Sequence, residues 1–166
     1  MKKEFESRAK KVEVVFNGFD ENDFEKSDVR SPKLDVFTIR YVGNLMASQN
    51  VEGLWKCIAE LRSPDIKHRT SFKLEFIGRV DEVVKQSISE NGLDDCVSYL
   101  DFVDHREAVQ LMQDASLLLF VIPNVNDNEL ILTGKLFEYL ASKTEMISFG
   151  PVKGNAAEIL NQTGRK

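Results

Sequence analysis

The residues best suited to chemistry stand together late in the chain. They are Thr133, Gly134, Lys135, Leu136 and Glu138, within the stretch Thr-Gly-Lys-Leu-Phe-Glu-Tyr-Leu-Ala at residues 133–141. An apolar run precedes them at residues 117–121 and reads as a buried strand. A polar loop, residues 123–132, joins the two. Thr133 is placed to cap a helix that Gly134 and Lys135 open. A helix start has unpaired backbone N–H groups and the positive end of a dipole, so it attracts anions. Lys135 adds a full positive charge there. Glu138 falls one turn further in, where its carboxylate can accept hydrogen bonds from hydroxyls. This arrangement of charge suits a diphosphate at the helix start and a ribose beside Glu138. It also suits a ligand-free surface helix carrying a Lys135–Glu138 ion pair at i,i+3. Spacing alone leaves both readings open.

The rest of the chain supplies elements to position such a site. Residues 12–16 read as a possible strand, the Asn-Gly at 17–18 as a turn, and residues 21–33 as loop or linker. Residues 35–42 are β-rich and apolar, and Gly43-Asn44 ends that strand. Val51, Leu54, Trp55, Ile58 and Leu61 follow at helical spacing, with Cys57 expected on the apolar face. Ser63-Pro64 stops the helix. A strand over residues 71–77 ends at Gly78-Arg79. The helix over 81–91 turns Val83, Val84 and Ile88 inward and stops at Gly92. A short strand spans 97–100. Asp104 and Glu107 have capping-box spacing, and Val109, Leu111 and Met112 follow on that helix. The strand at 117–121 is expected at the centre of the sheet. A final strand over 146–149 precedes Gly150-Pro151 and a helix from Asn155, which ends near Thr163-Gly164.

Strand and helix alternate five times, which implies βαβ units, right-handed crossovers and a parallel sheet covered on both faces. The expected fold is a Rossmann-like, doubly wound α/β sheet. Ligands bind outside the C-terminal ends of such strands. Here those ends are Gly43-Asn44, Gly78-Arg79, residues 101–104, the loop into Thr133-Gly134, and Gly150-Pro151. The loop at 123–132 exceeds the usual connection of about 2–6 residues, which points to function.

At 166 residues, 42% hydrophobic and 30% charged, the chain has the size and composition of one globular domain. Its net charge of −5 argues against nonspecific nucleic-acid binding, which needs a cationic face. No apolar run approaches membrane-spanning length, and the first residues do not read as a signal peptide. Cys57 and Cys96 lack metal-ligand spacing and fit a reducing cytoplasm.

Standard nucleotide signatures are missing. Neither Gly43-Asn44-Leu45 nor Gly78-Arg79-Val80 has the second glycine of a dinucleotide fingerprint. A P-loop needs glycine where Glu129 stands and Ser or Thr where Leu136 stands. There is no Asp-X-Asp pair, so no carboxylate-held metal is expected. His68 reads as a solvated loop residue and His105 as a surface residue of a first helical turn.

Several segments, taken in order, carry a resemblance. Asn17-Gly18-Phe19-Asp20, with Phe24, resembles the inter-domain segment of GT-B glycosyltransferases of family 4, also called group 1. Tyr41-Val42-Gly43-Asn44-Leu45 resembles the start of their donor domain. Phe76-Ile77-Gly78 and residues 97–103 resemble its next two strand ends. Residues 134–141 resemble the helix start that holds the nucleotide, and this motif is the most specific of the four.

The resemblance implies one half of a GT-B fold. Residues 1–33 correspond to an inter-domain linker and lead-in segment. Residues 34–166 correspond to a nucleotide-sugar-binding C-terminal domain, cut short after Gly164 and lacking the N-terminal acceptor domain. By motif position, Glu138 holds the ribose hydroxyls, backbone N–H groups of Gly134, Lys135 and Leu136 hold the diphosphate, and Phe102 and Val103 contact the base. Gly43, Asn44, Gly78, Arg79 and Thr133 complete the expected donor site. Many family members place a second Glu eight residues before the ribose Glu. Leu130 stands there, with Glu129 beside it. Many also carry an Arg and a Lys near the positions of Asn44 and Gln49, both neutral here. That moves the cationic duty to Lys135 or Arg79.

The implied function is glycosyl transfer from a nucleotide-sugar such as a UDP- or GDP-sugar. The implied setting is synthesis of cell-surface polysaccharide or glycolipid, in the cytoplasm or at the inner face of the plasma membrane. No cofactor and no metal are expected, and the isolated fragment is expected to be inactive. Two alternatives share the general fold. One is half of a non-hydrolysing nucleotide-sugar epimerase, and the other is a non-enzymatic flavodoxin-like signalling domain.

Overall fold

The computed structural model describes residues 13, 15, 17–24, 36–63 and 71–164. Five strands run in parallel: β1 (Phe37–Val42), β2 (Phe72–Ile77), β3 (Val97–Leu100), β4 (Leu117–Val121) and β5 (Met146–Phe149). Their order across the sheet is β3-β2-β1-β4-β5. Five helices alternate with them: α1 (Glu52–Leu61), α2 (Glu82–Glu90), α3 (His105–Gln113), α4 (Gly134–Ala141) and α5 (Asn155–Gln162). This is the doubly wound Rossmann-like order. A flavodoxin-like sheet would put β1 between β2 and β3, whereas here β1 lies between β2 and β4. The signalling alternative therefore fails on topology.

Two apolar layers sandwich the sheet because alternate side chains of a strand face opposite ways. Ile39, Tyr41, Leu74, Phe76, Leu119 and Val121 pack against Trp55 and Ile58 of α1 and Val84 and Ile88 of α2. Val42, Ile77, Leu118 and Phe120 pack against Met112 of α3, Leu136 and Tyr139 of α4, and Ala156 of α5. On this second face Arg40 is also buried. Its Nε donates to Glu75 Oε2 at 2.6 Å, and its Nη1 donates to the Leu111 carbonyl. Lys73 also reaches the Glu75 carboxylate.

Four local expectations need correction or restriction. Cys57 is exposed, because α1 buries Leu54, Trp55 and Ile58 and position 57 lies off that stripe. Val83 is 53% exposed, and Ser87 takes its place inside, at i+3 from Val84. The strand expected at 12–16 rests on Val12, Val14 and Phe16, which lie outside the described residues; Glu13 and Val15 belong to no strand. Within the expected loop at 21–33, Glu21–Phe24 forms a single 3-10 turn, and residues 25–33 lie outside the described residues. His68 and Pro64 lie outside them as well.

The caps follow the sequence more closely. Asp81 Oδ1 accepts the Val83 N–H at 3.0 Å, and Asp104 Oδ1 accepts the Glu107 N–H at 2.9 Å. Both are side-chain caps at helix starts. Among the described residues no helix is long and apolar enough to cross a membrane.

Candidate functional site

The site begins where β1 and β4 part. They pair at Ile39↔Leu117 and Arg40↔Leu118 and no further. β1 hands the chain on towards β2 and β4 hands it on towards β5, so the loops at their C-terminal ends diverge and open a crevice. Backbone groups abandoned by the ladder need other partners. The Val42 N–H donates to the Tyr139 hydroxyl at 2.9 Å. The Val121 carbonyl accepts from Gln49 Nε2 at 2.8 Å. One side chain from α4 and one from the loop after β1 thus finish the sheet where the strands have separated.

The helix α4 starts beside this crevice. Thr133 takes the extended backbone of an N-cap, but its hydroxyl makes no capping bond, contrary to expectation; Oγ1 is buried without a partner. The Leu136 N–H is taken by the Thr133 carbonyl at 3.2 Å, and its side chain is wholly buried. The outward donors at the helix start are therefore the N–H groups of Gly134 and Lys135.

Lys135 reaches back over the end of β1. Its ammonium sits 3.7 Å from the centroid of the Tyr41 ring. A Cβ on Gly43 would stand 3.1 Å from Nζ, so the ammonium occupies the space that a side chain at 43 would fill. It does not pair with Glu138, so the ion pair of the ligand-free reading is not formed. Burial pushes the Lys135 pKa down to about 7, against the opposing pull of the Glu138 charge. The ring beneath is fixed: the Tyr41 hydroxyl donates to the Asn44 carbonyl at 2.7 Å and lies 3.4 Å from Gln49 Nε2.

Gly43 and Gly78 bring two strand ends into contact. Both have left-handed backbone, with φ of 112° and 108°. A Cβ on Gly78 would lie 2.9 Å from the Gly43 carbonyl and 3.2 Å from the Phe102 ring. Glycine is required at 78 on both counts. Gly43, Gly78, Phe102 and Lys135 are thereby gathered on one edge. Phe102 is 68% exposed there, whereas the Val103 side chain packs into the cluster around Val42 and Ile77. The Arg79 side chain is exposed in a neighbouring cleft with Tyr99 and Phe102, and its carbonyl accepts the Leu45 N–H at 2.8 Å. Asn44 is exposed and contributes its carbonyl to Tyr41.

Glu138 faces a separate cleft, shared with His105 and residues 18–24. The wall of that cleft is held by His105 Nε2, 2.9 Å from Asp23 Oδ2, and by the edge-to-face pair Phe19–Phe24. Asn17 lies close to Gly134, so residues 17–24 run past the start of α4 and on to α3. Glu129 and Leu130 lie on a 3-10 turn packed against Gly154 and Asn155 at the start of α5.

Sequence reasoning missed Tyr41, Gln49 and Tyr139. Tyr139 follows Leu136 at i+3 on the buried face of α4, and a tyrosine at such a position needs a partner for its hydroxyl. Nothing in the mixed stretch 44–50 marks Gln49, rather than Ser48 or Asn50, as the buried polar residue.

No family model and no curated protein matches the sequence. Solved structures do match the fold. The C-terminal domain of a group 1 family glycosyl transferase (LpcC) from Francisella tularensis is 14% identical with a TM-score of 0.55; the match covers 89% of this chain and 86% of that one. Trehalose-6-phosphate synthase from E. coli, bound with UDP-2-fluoro glucose, is 12% identical with a TM-score of 0.58, over 87% of this chain and 38% of that one. The pneumococcal O-GlcNAc transferase GtfA, in complex with UDP and GlcNAc, is 16% identical with a TM-score of 0.52, over 78% of this chain and 23% of that one. The chain thus spans less than two fifths of the two longer enzymes. It has the fold of a GT-B C-terminal domain.

Proposed function

We propose that this chain is the donor-binding half of a glycosyltransferase. The observation that carries the reading is the parted β1–β4 crevice, with the start of α4 on one wall and the Lys135 ammonium laid across Gly43. A diphosphate seated there meets the N–H groups of Gly134 and Lys135, the helix dipole and one side-chain cation. The leaving diphosphate gains charge as the glycosidic bond breaks. Fixed donors stabilise that charge without reorganising, so a metal is not needed for this step. Glu138, one turn inside the helix, takes the ribose hydroxyls. Phe102 lies against the base, with Arg79 at the rim. The cationic duty falls to Lys135, because Gln49 is buried and bound to backbone, and Arg79 points into solvent.

In this reading the acceptor is bound by an N-terminal domain of the same protein, and residues 17–24 lead from one domain to the other. Synthesis of cell-surface polysaccharide or glycolipid, by a cytoplasmic or peripheral membrane enzyme, is the setting that fits. Titration calorimetry of the chain with UDP, GDP and ADP, with magnesium and with EDTA, tests the proposal. One nucleoside diphosphate is expected to bind more tightly than the others and equally well without metal. No binding by any of the three would refute the donor site, and a strict need for the ion would refute the metal-free helix start.

A further inference from the structure

We propose that Tyr41 is a positioning residue for the donor diphosphate: its ring holds the Lys135 ammonium at the end of β1, out of water, until the diphosphate draws it off. This rests on the donor-site reading above. The geometry is specific. Glu138 offers a full negative charge at i+3 on the same helix, yet the ammonium turns the other way and sits 3.7 Å from the ring centroid. That is well inside the range of about 6 Å at which a ring face attracts a cation. The ring cannot swing aside, because its hydroxyl is held by the Asn44 carbonyl and flanked by Gln49. Gly43 leaves the space open. Among the described residues the ammonium has this ring and no hydrogen-bond acceptor. A desolvated cation with three unmet donors is poised for an anion.

The arrangement makes diphosphate binding proton-linked. Two groups act on the ammonium: the Tyr41 ring on β1 beneath it, and Glu138 at i+3 on α4. Both favour its charged form. Burial outweighs the Glu138 charge and brings the pKa down to about 7. A bound diphosphate raises the value again. Above about pH 7, binding therefore takes up a proton, and affinity falls by up to about tenfold per pH unit.

The test compares wild type with Tyr41→Phe, Tyr41→Leu and Lys135→Met. The first readout is the NMR titration of the Lys135 side chain in ligand-free protein. Wild type should titrate near the buried value and show an upfield ring-current shift of the Lys135 Hε protons. Tyr41→Phe keeps the ring and should keep both signatures. Tyr41→Leu should lose the shift, and with no ring face to hold it at the end of β1 the ammonium should swing into water and titrate towards about 10. The second readout is affinity, from pH 6 to 9, for whichever of UDP, GDP and ADP binds wild type most tightly. Wild type and Tyr41→Phe should weaken as pH rises, Tyr41→Leu should be flat, and Lys135→Met should be weak and flat. Absence of the ring-current shift in wild type overturns the proposal with no substitution needed. A Tyr41→Leu protein that keeps the wild-type midpoint and pH break overturns the role of Tyr41 alone, as does a break that persists in Lys135→Met. Failure of wild type to bind any of UDP, GDP and ADP at any pH overturns the donor-site reading and the role of Tyr41 with it.

Discussion

Removing one oxygen atom, in Tyr139→Phe, tests how the crevice is held open. The Tyr139 side chain is fully buried and packs edge-to-face on Phe120 at 6.3 Å, so the ring of phenylalanine refills its space. The loss is confined to the hydroxyl that accepts the Val42 N–H at 2.9 Å. Val42 is only 8% exposed and has no strand partner on the β4 side, so the orphaned N–H stays out of reach of water. A buried donor left unsatisfied costs about 1–3 kcal/mol. For a domain of this size, 1 kcal/mol moves the melting temperature by about 2–4 °C, so the expected fall is about 2–12 °C. Chemical denaturation should show a lower midpoint at unchanged slope, since the surface exposed on unfolding is the same. Hydrogen exchange at the Val42 amide reports the site directly and should speed up more than exchange at Ile39 in the same strand. Tyr99→Phe is the control: that ring is 41% exposed, and the change should stay within about 0.5 kcal/mol. A Tyr139→Phe protein with wild-type stability and a still-protected Val42 amide would refute the claim that α4 finishes the sheet through this hydroxyl.

Glu138→Gln keeps the shape of the side chain and removes its charge. Nucleoside and nucleoside-diphosphate affinities should both fall roughly tenfold, a loss of about 1.4 kcal/mol, while a 2′,3′-dideoxy ligand should bind the two proteins alike. Equal ribonucleotide affinities in calorimetry would take Glu138 out of the site. At Glu75, burial pushes the carboxyl pKa up, but hydrogen bonds and charge from Lys73 and Arg40 outweigh it and hold the pKa below its ordinary value. A depressed carboxyl stabilises the fold above its unfolded pKa of about 4.3 and loses that contribution as pH falls through the folded value. Unfolding monitored by circular dichroism should therefore show stability dropping below about pH 4, with a smaller drop in Glu75→Gln. Arg40→Met strands the Glu75 charge under α3 and should cost about 3–5 kcal/mol at neutral pH, less whatever Lys73 retains. A loss below about 1 kcal/mol would mean that Lys73 alone satisfies the carboxylate.

What the sequence displays and what it hides divide along a physical line. Strands and helices are legible because each is written in a local period: apolar residues at i, i+3, i+4 in α1, apolar runs in β1 and β4, Asp at the starts of α2 and α3. The helix start at Gly134 and the position of Glu138 one turn inside it are legible for the same reason. The direction of the Lys135 side chain is not. Its helix offers Glu138 at the favoured spacing, and a rule built on one helix pairs the two. The choice is made by a strand some ninety residues earlier in the chain, where a tyrosine ring and the missing side chain of Gly43 present a site that no local period encodes. Gln49 is hidden likewise: in sequence it is one polar residue among several, and only the parting of β1 from β4 leaves a Val121 carbonyl for it to satisfy. Even Val83 misleads by the same logic, since it is apolar and next to Val84, but it stands off the face of Val84, Ser87 and Ile88 that the sheet buries. The edge of the sheet that gathers Gly43, Gly78, Phe102 and Lys135 is thus assembled from four segments whose meeting depends on strand order. The strand order in turn follows from which way the chain crosses after β1 and after β4. A site at a topological switch point is for that reason easier to locate from sequence than to furnish: the crossing names the crevice, and the side chains that line it are settled by contacts between segments.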